Sequence, residues 1–108
     1  MTDIPQITDN QAASRFELTV EGKLAELRYR HRGQRFVIVH TGVPSELADR
    51  GYGSALVQAA LDRAEREGLT VVPLCPFARA WLERNPGAAA RVTIDWAPGS
   101  PPRDTAGI

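Results

Sequence analysis

Cysteine is nearly absent from the chain: Cys75 is the only one in 108 residues. One thiol excludes an internal disulfide framework and suits a reducing compartment, so a cytoplasmic location is the expectation. No run approaches the roughly 18 apolar residues that a membrane helix needs. The opening residues 1–14 are polar and carry no hydrophobic stretch of the kind a secretory leader uses. Neither sign of charge prevails, with 13 Lys and Arg against 13 Asp and Glu, and no block of one sign. Nucleic acid and anionic membranes are therefore not expected as partners. Only Arg28, Arg30, Arg32 and Arg35 cluster, around a predicted hairpin, which reads as a solvated edge. No His, Cys, Asp and Glu grouping has metal-ligand spacing.

What is present fits one domain, which at this length buries roughly two-thirds of its unfolded surface. The composition marks residues 1–14 and the Pro- and Gly-rich residues 97–108 as flexible tails around a domain at 15–96. Phe16, Leu18 and Val20 alternate with Glu17 and Thr19, and Ala25, Leu27 and Tyr29 alternate with Glu26, Arg28 and Arg30. Each set predicts a half-buried strand. Turn signals at Glu21-Gly22-Lys23 and His31-Arg32-Gly33-Gln34 join them to a third run, FVIVHT from Phe36, which reads as a strand buried on both faces. An antiparallel meander follows, with this third strand central. Gly42 and Pro44 bracket its end, a place for a bend or bulge.

Over residues 53–67 the period becomes helical. Leu56, Val57, Ala60, Leu61 and Ala64 form one stripe, and Gln58, Asp62, Arg63, Glu65 and Arg66 are expected to face water. Gly68 sits where a helix end favours a left-handed residue. The apolar LTVVPL segment at 69–74 then predicts a strand parallel to the one before the helix. Pro76 opens a short second helix to about Arg84, ended by Asn85-Pro86-Gly87, and residues 92–96 offer a last strand. The fold class is α/β in the mixed α+β sense, built on a mixed sheet.

The segment HTGVPSELADRGYGSA at 40–55 joins a buried strand to a helix. The helix start has no Ser, Thr, Asp or Asn cap and no acidic residue in Gly53-Ser54-Ala55-Leu56. Bare N–H groups there form an anion site, and Arg50 adds positive charge, so a phosphate is the natural filler. A P-loop is excluded because Gly-Lys-Ser/Thr is missing, and a dinucleotide fingerprint because Leu56 stands where its third glycine belongs.

The form Arg50-x-x-Gly53-x-Ala55 instead resembles the pyrophosphate loop of the GNAT acetyltransferase superfamily. The ordered set of HTGVP, this loop, its helix, VVPLCPF and RNP, across residues 16–86, is similar to the small single-domain members of that superfamily. The resemblance implies acetyl-CoA as co-substrate and an amine as acceptor. It implies that the amides of Arg50, Gly51, Tyr52, Gly53, Ser54 and Ala55 hold the diphosphate. Thr41, Gly42 and Val43 would pair with the pantetheine arm where two parallel strands splay, with Cys75 close to the thioester.

Acetyl transfer to an amine needs a neutral amine, a polarised carbonyl and a proton for the departing thiolate. The family often supplies that proton from a Tyr on a late helix, where this chain has Phe77 and Trp81. Cys75, just before a helix N-terminus, is the substitute candidate, and it reads equally as a small buried apolar residue. His40 is either a general base or a hydrogen-bonded core histidine. Glu46 is either a base at the loop entrance or a solvated surface charge. The turn at residues 21–23 leaves no room for the helices that usually close the acceptor side. That side should be open, which suits a protein or peptide amine. A monomer or weak dimer is expected. The alternatives are a non-catalytic CoA-binding module and an interaction domain without coenzyme.

Overall fold

The computed structural model describes residues 6–96. Ten elements follow in order: β1 (Thr8–Asn10), β2 (Arg15–Val20), β3 (Lys23–Arg32), β4 (Arg35–Gly42), a 3-10 turn (Ser45–Leu47), α1 (Tyr52–Glu67), β5 (Thr70–Pro73), α2 (Pro76–Arg84), α3 (Pro86–Ala89) and β6 (Thr93–Ile94). One six-stranded sheet takes them in sequence order, antiparallel from β1 to β4 and parallel from β4 through β6. The expected meander and the crossover through α1 are both present, and β4 lies inside the sheet.

The core forms where α1 covers one sheet face. Leu56, Val57, Ala60, Leu61 and Ala64 are fully buried against Phe16, Leu18, Leu27, Phe36, Ile38 and Val71. Each large apolar side chain so enclosed contributes about 1.5–3 kcal/mol. Tight turns set the register: Glu21 and Gly22 both have positive φ (54° and 77°), the geometry that matches strand twist in a two-residue hairpin. Gly68 closes α1 in the left-handed region, accepting the end position expected of it.

Five sequence expectations are corrected. The stretch expected to be flexible through residue 14 contains β1, which pairs Thr8 with Glu17 and Asn10 with Arg15. β4 is not buried on both faces, because Phe36 and Ile38 are enclosed while Val37 and Val39 are only half-buried. The bulge falls earlier than Gly42. Tyr29 opposes Ile38 and Arg28 opposes His40, so Val39 is the extra residue. Arg63 does not face water; it is 5% exposed. Its guanidinium donates to Asp9 (3.0 Å), Tyr29 (2.8 Å), Glu67 (3.2 Å) and His31 Nδ1 (3.1 Å), and it lies over the Tyr29 and Phe36 rings. The last strand is two residues long rather than five, since α3 continues the chain beyond Asn85. Residues 1–5 and the expected tail at 97–108 lie outside the described residues.

Candidate active site

β4 outruns β5. The parallel ladder ends at Ile38 opposite Pro73, and the Ile38 carbonyl accepts from both Leu74 and Cys75 as the chain turns into α2. Residues 39–42 therefore continue with β3 on one side and no β5 partner on the other. This opening leads into a cleft of about 440 Å³ lined by Thr41, Val43, Leu47, Ala48, Asp49, Gly51, Tyr52, Gly53, Ser54, Phe77 and Arg84.

One wall of the cleft is the first turn of α1. Gly51 occupies the N-cap position in the left-handed region (φ 86°), no side chain caps the helix, and the first turn holds no acidic residue. The Ala55 amide already donates to the Gly51 carbonyl. The amides of Tyr52, Gly53 and Ser54 precede it and have no intrahelical partner. Ser54 Oγ accepts from Trp81 Nε1 at 2.9 Å, which ties α2 to this turn. A Cβ on Gly53 would stand 2.8 Å from Phe77 Cζ, so the Phe77 ring packs directly on the glycine. Such a surface of small residues, bare amides and one aromatic wall fits an extended ligand with an anionic group and an apolar arm.

Of the residues singled out in the sequence, Thr41, Val43, Gly51, Tyr52, Gly53 and Ser54 meet around the cleft, and Gly42, Arg50, Ala55, His40, Glu46 and Cys75 do not line it. Arg50 turns away: its guanidinium donates to the Glu46 carbonyl (3.1 Å) and to Glu21 Oε2 (3.4 Å). Hydrogen bonding to Tyr52, then to Glu21, holds it charged beyond the ordinary arginine range. Glu46 is exposed on the 3-10 turn, 3.9 Å from Lys23 Nζ. His40 is exposed rather than inward, because the extra residue Val39 shifts its alternation against Phe36 and Ile38. Its Nε2 lies 3.2 Å from where a Gly42 Cβ would stand, with Glu26 on the same side. Cys75 is 2% exposed within the core, its Sγ donating to Thr41 Oγ1 at 3.4 Å. The thiol thus sits one side chain behind the cleft.

Sequence reading missed Leu47, Ala48, Asp49, Phe77 and Arg84 as lining residues. A signal existed for two of them: Phe77, Trp81 and Arg84 follow i, i+4, i+7 spacing and share one face of α2.

Residues 15–92 match the family model described as GCN5-related N-acetyl-transferase. The chain is also similar to the NMR solution structure of a GCN5-like protein from Staphylococcus aureus, itself only provisionally assigned as an N-acetyltransferase. The identity is 26% and the TM-score 0.67, over 85% of this chain and 91% of that one.

Proposed function

The chain belongs to the GCN5-related N-acetyltransferase family, and from that premise we propose that it moves the acetyl group of acetyl-CoA onto an amine. The observation that carries this reading is the uncapped first turn of α1 opening on the same cleft as the unpaired end of β4. The amides of Tyr52, Gly53 and Ser54 hold the diphosphate, where the helix dipole favours negative charge. The strand end at Thr41, Gly42 and Val43 offers backbone groups to the pantetheine arm. In the reaction the amine nitrogen bonds to the acetyl carbon, the C–S bond breaks, one proton leaves the nitrogen and one reaches the sulfur.

The acceptor in this reading is a protein or peptide amine. The sheet face away from α1 carries exposed Thr19, Leu24, Arg28 and Arg30, and only a two-residue turn joins β2 to β3. Among the described residues this face is open rather than enclosing, which suits a macromolecular amine better than a small metabolite. His40, exposed beside Gly42 on the face of Arg28, is the group assigned to accept the amine proton. Cys75 is assigned to the sulfur end, acting through Thr41, whose hydroxyl its thiol meets. Glu46, paired with Lys23 outside the cleft, is left without a part.

A specific observation supports a second reading, a CoA-binding module without turnover. Cys75 is buried in the core, and the one tyrosine that lines the cleft, Tyr52, opens α1 among the amides assigned to the diphosphate. Incubation with acetyl-CoA and a lysine-containing peptide, followed by mass spectrometry, separates the two. Acetylated peptide, with a rate that falls in His40→Ala or Cys75→Ala, supports transfer. Tight coenzyme binding with no acetylated product supports the module. A melting temperature indifferent to CoA refutes both, since ligand at 100 times its dissociation constant adds about 2.7 kcal/mol.

A further inference from the structure

We propose that Arg84, on α2, is the cation that grips a phosphate of the coenzyme, taking the place that the loop sequence suggests for Arg50. The inference rests on the reading above and adds a binding residue to it. Arg50 is spent on Glu21 and the Glu46 carbonyl, and does not reach the cleft lining. Arg84 is the one cationic residue that does line it. Among the described residues, Arg84 shares with Arg30, Arg32 and Arg66 the lack of a hydrogen bond or ion pair, whereas Arg15, Arg28, Arg35, Arg50, Arg63, Arg79 and Arg91 each have at least one; of the four, Arg84 is the one that lines the cleft.

Placement follows from α2 itself. Phe77 packs on Gly53, Trp81 donates to Ser54, and Arg84 continues the same helical face one turn on. Two contacts therefore hold this face against the first turn of α1, with Arg84 lining the cleft that the bare amides open on. A guanidinium offers a phosphate a forked, charge-assisted pair of N–H donors, and amides at a helix start supply the remaining ones. Asp49 also lines the cleft and carries the opposite charge, which leaves Arg84 to offset it before any anion binds.

A competing role for Arg84 is purely structural, because a cation in the last turn of a helix relieves the dipole. Calorimetric titration of CoA into wild type, Arg84→Gln, Arg84→Lys and Arg50→Gln separates the roles. The proposal expects a Kd roughly 10- to 100-fold weaker in Arg84→Gln, partial recovery in Arg84→Lys, little change in Arg50→Gln, and a shallower salt dependence once Arg84 is neutral. Repeating the titration with 3′-dephospho-CoA locates the contact. A loss that persists assigns it to the diphosphate, and a loss that vanishes assigns it to the 3′-phosphate. A Kd unchanged in Arg84→Gln, with or without a lowered melting temperature, overturns the assignment while leaving the proposed function standing. Wild-type protein that binds no CoA at all sinks both.

Discussion

Gly51 and Gly53 are two residues apart and are glycine for different reasons. Gly51 needs its positive φ of 86°, while a Cβ there would meet open space. Gly53 is helical, and what excludes a side chain is the Phe77 ring 2.8 Å away. Replacing a helical glycine by alanine ordinarily stabilises by about 0.8–1 kcal/mol. In the wild type, Gly53→Ala should forfeit that gain because Phe77 must shift. In a Phe77→Ala background the gain should return, giving a coupling of about 1 kcal/mol by urea denaturation. Equal effects in both backgrounds would show that the ring does not constrain this position. Tyr29 allows a test by pH. Burial, then its hydrogen bond to Asp9, raises its hydroxyl from 10.0 to about 12. The folded state thus keeps a proton that the unfolded state releases, so stability is complete below pH 10 and is lost as pH climbs toward 12. Melting temperatures between pH 9 and 12 should fall more steeply for wild type than for Tyr29→Phe, and parallel curves would refute the assignment.

At the scale of elements, β1 is held by electrostatics more than by apolar burial. Asp9 accepts from Tyr29 (2.6 Å) and from Arg63 (3.0 Å), two groups on β3 and α1. Asp9→Ala leaves the enclosed Arg63 guanidinium short of a carboxylate and should cost about 2–3 kcal/mol. Combining it with Arg63→Met should restore part of that loss, as replacing a whole buried pair does. Urea midpoints of the two variants check this, and a double variant no more stable than Asp9→Ala contradicts it. The same element shows why some structure was legible and some was not. Alternation marked β2 and β3, and the apolar stripe with Gly68 marked α1, because those elements pack through their own side-chain periods. Thr8-Asp9-Asn10 has no apolar period, and its partner Arg63 lies 54 residues on, where no local pattern points to it. His40 was misplaced because a single extra residue, Val39, reverses a strand's faces without any mark in composition. The loop and its uncapped helix were readable from residue types alone. Which arginine enters the cleft depends on where α2 docks, and that is set by Trp81 and Phe77 meeting Ser54 and Gly53.

Across the whole molecule, the tightly packed core and the cleft occupy different parts of one sheet. Phe16, Leu18, Ala25, Leu27 and Phe36 are enclosed beneath the middle of α1, in the antiparallel half. The cleft lies beyond the last β4–β5 pair, between the start of α1 and α2. Ligand bound there reaches groups that the core does not order: amides before the first intrahelical bond of α1, and strand residues with no β5 partner. Local opening in such regions costs less than global unfolding, so a ligand slows exchange there first. Hydrogen–deuterium exchange with saturating CoA should therefore slow at Thr41, Val43, Tyr52, Gly53 and Ser54 and along α2. Amides of β2 and β3, held in the antiparallel ladder away from the cleft, should change only through the global stabilisation of roughly 2.7 kcal/mol at 100 times Kd. Protection confined to β2 and β3, with the α1 start unchanged, would place the ligand on the open sheet face and remove the cleft from the mechanism.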